Sequence, residues 1–230
     1  KIVEDASHAL GTYSQSVQVG SCKYSDVCIF SFHPVKIITT AEGGCATTNN
    51  PDLAEKIRML RSHGITKNKF NFINKNPEPW YYEQQELGFN FRLTDLQSSL
   101  GNSQLKRIDT FIDKRRKIIK NYNEKLKTLP VRLITEKNFC RSVYHLAVIV
   151  LDNPKIRADL YHQLKSLGFM CQVHYLPIHL QPYYRSIGFK PKDFPVAEEF
   201  SSRILSIPCY PNLSPRNQRR VMNGIKRFLK

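Results

Sequence analysis

Apolar residues follow two rhythms along this chain. Short runs bounded by glycine, proline or polar clusters predict strands: Ile2 and Val3 ahead of Glu4 and Asp5, then 27–32 as a buried strand, 45–48, 143–151 and 170–175. Longer stretches repeat apolar residues every three or four positions and predict helices. Leu53, Ile57 and Leu60 mark the first, opened by Asn50 as N-cap and Pro51 in the first turn and closed by Gly64 as C-cap. Leu96 and Leu100 supply the apolar face of 94–105, and Ile112, Ile119, Tyr122 and Leu126 that of 109–129. A helix over 155–167 ends at Gly168, and one over 214–230 starts with Ser214 as N-cap and Pro215 at its first position. Residues 9–25 read as loop or a small hairpin. Residues 66–86, polar and aromatic, read as a long loop of the kind that borders a binding site. The expected class is α/β, with one domain over 1–129 that ends in a linking helix. A composition change at Thr128, Leu129 and Pro130 then opens a smaller α+β domain over 130–230.

One stretch departs from ordinary surface chemistry. Residues 31–44 read S-F-H-P-V-K-I-I-T-T-A-E-G-G. Pro34 stops regular structure, and Gly43 and Gly44 make a tight turn, so Lys36 falls on a connection between two strands. Most lysines are solvated charges. This one has Ser31 and His33 before it and Ile37 and Ile38 after it, which is the setting of an amine that is used. Asp5 ends a predicted strand, and in open α/β sheets ligands gather at the carboxyl ends of strands.

Composition narrows the classes. The chain has 230 residues, 41% of them hydrophobic, enough for a sizeable core. No apolar run approaches the ~20 residues of a membrane helix. The six cysteines, at 22, 28, 45, 140, 171 and 209, form no C-x-x-C and read as reduced thiols of a cytoplasmic protein. His174 and His179 lack a third ligand at useful spacing, so no metal is expected. The formal net charge of +16 raises nucleic acid as a partner. The charge is diffuse, however, alternating with core positions over 106–127 and 216–230, which is the pattern of solvated helix faces; neither nucleic acid nor membrane is expected to bind.

The motif S-F-H-x-x-K-x-I-T-T-x-E-G-G resembles the lysine loop of the DegT/DnrJ/EryC1/StrS sugar-nucleotide aminotransferases, and within them the pseudaminic-acid branch. Three further segments resemble the same family: E-D-A-S-H-A-L-G at 4–11, G-F-N-F-R-L-T-D-L-Q-S-S-L-G at 88–101, where Ser99 replaces a commoner alanine, and the stretch 172–184. The resemblance implies the aspartate-aminotransferase fold (fold type I), represented by the C-terminal part of its large domain and its small domain. The chain starts as a family member does well inside the large domain, so the expectation is a fragment without that domain's amino-terminal part.

By the same resemblance the cofactor is pyridoxal 5'-phosphate (PLP), held by Lys36 as a Schiff base. Asp5 pairs with the pyridine nitrogen, His8 lies near the ring's phenolic oxygen, Ser31 binds the phosphate, and Asn90 reaches the phosphate of a neighbouring subunit, which makes the enzyme a homodimer with shared sites. Gln172, His174, Tyr175 and His179 line the sugar-nucleotide pocket. The implied reaction moves an amino group, from L-glutamate, to C4 of a UDP-linked 4-keto-6-deoxy-N-acetylhexosamine. Lys36, freed from the cofactor, shifts the proton. Alternatives are a relative acting at C3 or on a dTDP- or GDP-linked sugar, and a truncated non-catalytic homologue. The family's sugar 3-dehydratases carry histidine where this chain has Lys36.

Overall fold

The short apolar run before Asp5 is the first strand of a sheet, β1 (Val3–Asp5), in a computed structural model that describes residues 1–229. A hairpin of β2 (Tyr13–Ser14) and β3 (Val17–Gln18) follows, so the 9–25 segment is the small hairpin rather than loop alone. β4 (Val27–Ser31) then lies parallel to β1, with Asp5 opposite Ile29. β5 (Gly44–Thr47) closes the sheet antiparallel to β4, with Ser31 opposite Gly44. The run at 27–32 is not buried on both faces as its apolar sequence predicts. Cys28 and Phe30 pack under the sheet with Ala6 and Cys22, whereas Ile29, pointing the other way, is exposed. At Gly44 there is no room for a side chain: a Cβ there would stand 2.7 Å from the Phe30 carbonyl oxygen.

α1 (Pro51–Arg61) starts as predicted, with the Asn50 side chain accepting from the Leu53 amide. Its end differs. The C-cap is Ser62, His63 takes the left-handed conformation just beyond it, and the Gly64 amide donates to the Met59 carbonyl at 2.9 Å. The 66–86 stretch is less irregular than its polarity suggests. β6 (Ile65–Thr66) pairs with β7 (Glu83–Gln84), and the buried Glu83 carboxylate accepts from the amides of Ile73 and Asn74 and from the Tyr81 hydroxyl. One inward carboxylate thus orders a loop with few apolar anchors. α2 (Asp95–Leu105) follows, but its predicted apolar face is not buried; Leu96 is 85% exposed.

The chain divides into two compact units, Lys1–Ile108 and Asp109–Lys230, earlier than the composition change at 128–130 suggests. The reason is α3 (Ile108–Leu126). Its residues Ile118, Ile119, Tyr122 and Leu126 pack into the core of the second unit, so the long helix belongs with that unit rather than linking out of the first. There β8 (Val131–Leu133), β10 (Ala147–Leu151) and β11 (Ile204–Ile207) form an antiparallel sheet with β10 central; a short β9 (Cys140–Arg141) precedes β10. Ile149 sits opposite both Leu133 and Leu205. α4 (Arg157–Ser166) and α7 (Pro215–Leu229) pack on this sheet through Leu160, Leu164, Val221 and Ile225. Fully burying each such side chain contributes roughly 1.5–3 kcal/mol. α5 (Pro182–Ser186) and α6 (Pro195–Arg203) lie between.

The strand predicted at 170–175 reduces to a single bridge, in which Gln172 and Ser206 exchange backbone hydrogen bonds at 3.1 and 2.8 Å. β11 runs its whole length along β10, and Gln172 meets it at that one residue pair. The start of the last helix is as predicted, the Ser214 hydroxyl accepting from the Asn217 amide; its predicted end, Lys230, lies outside the described residues.

Candidate active site

Two features of the sheet build the site. β1 and β4 are parallel neighbours, so their carboxyl ends lie side by side and carry Asp5 and Ser31. Beyond β4 the chain turns at Pro34 and Val35, passes Lys36, and returns to β5. The turn is closed at its base: the Phe32 amide donates to the Gly43 carbonyl at 2.8 Å, and the Thr40 amide to the Phe32 carbonyl at 3.0 Å. Ile37 and Ile38 are buried and anchor the loop from below, which leaves the Lys36 side chain half-buried.

Charge is organised around the same point. Asp5 Oδ1 accepts from the Ser7 hydroxyl at 2.5 Å and from the Ser7 amide at 3.0 Å. These bonds hold its carboxyl below the usual aspartate range, and the charges of His8 and Lys36 add to the effect. Burial pushes the Lys36 amine down from the ordinary lysine value, and the attraction of Asp5 opposes this only in part. The result is an ionised carboxylate within electrostatic reach of an amine that gives up its proton more readily than a surface lysine. Such an amine can attack a carbonyl carbon.

Asp5 thus feels the charges of both His8 and Lys36, and Ser31 stands at the adjoining strand end; its hydroxyl accepts from the His33 amide at 3.4 Å. Asn90 sits apart in the same unit. It bridges Ser62 through the backbone, and its side chain accepts from Arg92 Nε at 3.1 Å. Gln172, His174, Tyr175 and His179 all lie in the second unit. Gln172 Oε1 accepts from the Val173 amide, His174 Nδ1 lies 2.8 Å from Ser206 Oγ, and the Tyr175 ring is exposed. His179 is the most enclosed, 6% exposed, with Nε2 2.8 Å from Glu198 Oε1 and its ring edge-on to Phe194. That pairing ties the 178–180 turn to α6 and holds the Glu198 carboxyl below its ordinary range.

Sequence reasoning gave no role to Ser7, Gln97 or Gln104. A signal existed for the first two: D-x-S suits a local hydroxyl–carboxylate turn, and T-x-x-Q at 94–97 is a capping box. Two grooves, of about 630 Å³ beside Arg116 and Tyr144 and about 490 Å³ beside His63 and Arg92, contain none of Asp5, Ser31 and Lys36. Among the described residues no disulfide joins the cysteines, no cluster of three His, Cys, Asp or Glu could hold a metal, and no helix is long and apolar enough to cross a membrane.

The fold is that of part of a fold type I, PLP-dependent aminotransferase. Helicobacter pylori PseC, described as an aminotransferase involved in the biosynthesis of pseudoaminic acid, superposes with a TM-score of 0.89 at 30% identity over 99% of this chain and 59% of that one. A putative sugar aminotransferase from Streptococcus pneumoniae in its PLP form gives 0.88 at 27% identity, over 98% and 57% of the two chains. The chain belongs to the DegT/DnrJ/EryC1/StrS aminotransferase family, whose profile matches residues 1–226. It is 36% identical to the UDP-4-amino-4,6-dideoxy-N-acetyl-beta-L-altrosamine transaminase of Campylobacter jejuni, over 97% of this chain and 57% of that protein. It is 35% identical to the spore coat polysaccharide biosynthesis protein SpsC of Bacillus subtilis, over 100% and 60%. The chain thus spans about 60% of the length of these curated relatives.

Proposed function

We propose that the chain carries the lysine-bearing part of a PLP-dependent aminotransferase acting on a nucleotide-linked keto-sugar. The observation that carries this is a half-buried Lys36, its amine pushed down by burial, on the loop after β4 and within electrostatic reach of Asp5 at the carboxyl end of the parallel neighbour β1. The donor set fits the cofactor by chemistry: an amine for its aldehyde carbon, a carboxylate for its pyridine nitrogen, and the Ser31 hydroxyl for its phosphate. When bound, PLP supplies an electron sink for the pair left when a proton leaves the carbon bearing the amino group. Lys36 would hold the cofactor at its aldehyde carbon, and its amine, once free, would move the proton. Asp5, kept ionised by Ser7, would keep the pyridine nitrogen protonated.

The substrate reading is a UDP-linked 4-keto-6-deoxy-N-acetylhexosamine aminated at C4, with L-glutamate as donor. The 36% identity to the Campylobacter transaminase supports it. Gln172, His174 and Tyr175 are its sugar-side residues. His179 enters this reading as a support for the segment, because its ring is committed to Glu198. The working form is a homodimer in which Asn90 reaches the partner's cofactor phosphate; exposed Leu87, Phe89, Phe91 and Leu96 around it offer the apolar surface for the pairing. The compartment is the cytoplasm.

Borohydride reduction of the full-length protein after incubation with PLP, followed by peptide mapping, tests the reading. A pyridoxyl group on Lys36 is the expected result. An unmodified Lys36 would remove the cofactor and leave a non-catalytic homologue.

A further inference from the structure

The lysine loop is tied to a helix that carries none of the expected chemistry. α2 opens with a capping box: the Gln97 amide donates to Thr94 Oγ1 at 3.2 Å, and the Thr94 amide donates to Gln97 Oε1 at 3.0 Å. The box uses only the carbonyl oxygen of the carboxamide, so a glutamate would serve it equally well. The other end of the carboxamide goes elsewhere. Gln97 Nε2 donates to the Glu42 carbonyl, 55 residues back, at 3.0 Å. That same carbonyl accepts from Thr40 Oγ1 at 2.8 Å. Glu42 immediately precedes the Gly43 carbonyl that closes the loop onto Phe32. Farther along α2, Gln104 Oε1 accepts from the Thr39 amide at 3.3 Å, and a Cβ at Gly101 would stand 2.8 Å from Thr40 Cγ2. The returning limb of the loop, 39–43, is therefore clamped between the end of β4 and α2, and Lys36 rides on the limb that precedes it.

We propose that Gln97 is a positioning residue: its carboxamide N–H fastens the lysine loop to α2 and so holds the Lys36 amine in place near Asp5. The inference rests on the reading of Lys36 given above. It accounts for glutamine at a position where the capping box alone would accept a carboxylate. A carboxylate at 97 keeps the box but sets an anionic oxygen against the Glu42 carbonyl, two acceptors facing each other with no proton between them.

The two roles separate in a pair of variants. Gln97→Glu keeps the cap and breaks the clamp; Thr94→Ala removes the cap's hydroxyl and leaves Gln97 Nε2 free to reach Glu42. Hydrogen exchange on the full-length, cofactor-free protein is expected to run about tenfold faster over 32–43 in Q97E, the factor set by losing one hydrogen bond, with 95–105 unchanged. T94A is expected to do the opposite. In the PLP-loaded protein, Q97E should lower kcat about tenfold with the KM for the amino donor within about twofold, and should shift the pH profile of the cofactor's visible absorption. Wild-type exchange over 32–43 and a wild-type pH profile in Q97E would overturn the proposal. So would equal effects of both variants on both segments, since that is a folding defect and no clamp. Borohydride trapping separates the two readings. If the wild-type protein carries no pyridoxyl group on Lys36, the cofactor reading fails; if both proteins are labelled there and behave alike, only the role of Gln97 fails.

Discussion

Residues 109–229 are held by one large, continuous side-chain core, whereas in residues 1–108 that core is small and backbone meets backbone closely at Gly44, Gly64 and Gly88. The second unit buries Ile149, Leu160, Leu164, Leu205 and Val221 completely in one continuous cluster. The cluster under the first unit's sheet is Ala6, Cys22, Cys28 and Phe30, and large apolar residues such as Leu87 and Phe91 remain exposed. The glycines tell the complementary story. A Cβ at Gly64 would lie 1.9 Å from the Glu86 carbonyl oxygen, a contact side chains cannot relieve, whereas in the second unit Gly168 and Gly188 have nothing within 4 Å and Gly224 meets only the side chains of Leu164 and Leu167. Stability in the second unit comes from filled volume. Geometry in the first, where Asp5 and Lys36 sit, comes from strands and turns held at fixed backbone distances. Trimming a side chain should therefore hurt the second unit's stability most, and altering a turn should hurt the first.

The largest expected effect tests the chemistry alone. Lys36→Ala in the full-length enzyme should lower turnover by at least about a thousandfold, as loss of a positioned proton-transfer group does, while the thermal midpoint stays within a few degrees. Steady-state rates beside a melting curve check it, and normal turnover would sink the assignment. Next comes packing. Leu205→Ala empties a fully buried position beside Ile149 and should cost about 2–5 kcal/mol in denaturant unfolding, with Lys36 still trapped by borohydride in the protein that remains folded. Gly64→Ala should cost about 2 kcal/mol or more, because the residue sits at φ 68° and an added Cβ meets backbone. If G64A is harmless and L205A is too, the contrast between the two halves is wrong.

Much of this was readable before the fold. The β4 run, the Asn50 and Ser214 caps and the periodic face of α3 are local signals, and the structure keeps them. The long lysine motif singled out Lys36, and the carboxyl end of the first strand singled out Asp5. What stayed hidden depended on distant partners. The 170–175 run has strand composition but meets β11 at a single residue pair. Leu96 and Leu100 have helical spacing, but spacing cannot say whether anything covers them. His63, left-handed after α1, was passed over because Gly64 next to it looked like the obligatory turn residue. The order within 66–86 hangs on Glu83, whose burial no window of sequence reveals. The Gln97 clamp joins residues 55 apart through one N–H, and only the choice of glutamine over glutamate hinted at it.

The smallest effect sharpens the comparison through acid. Glu136 in the second unit accepts from the Arg116 guanidinium at 2.8 and 2.7 Å and from the Ser142 amide at 2.5 Å. Arg116 is the main reason its carboxyl is held below the ordinary glutamate range; burial works against this without cancelling it. A folded-state pKa below the unfolded one gives stability that is whole above the unfolded value of ~4.3 and is lost as pH falls through the folded value. Glu136→Gln should therefore cost about 1 kcal/mol at pH 7, screened as the pair partly is, and almost nothing near pH 3. The acid limb of the stability curve flattens accordingly. Asp5 is also held low, by Ser7, but it is exposed and supports no packed interior. Asp5→Asn should weaken PLP affinity and move the acid midpoint of unfolding in the same direction as Glu136→Gln but by less, because its bonds to Ser7 are local and exposed. Equal shifts of that midpoint in D5N and E136Q would mean that the charged groups of the two units serve stability alike, and the division between a packed half and a half set by backbone geometry would fail at its electrostatic end.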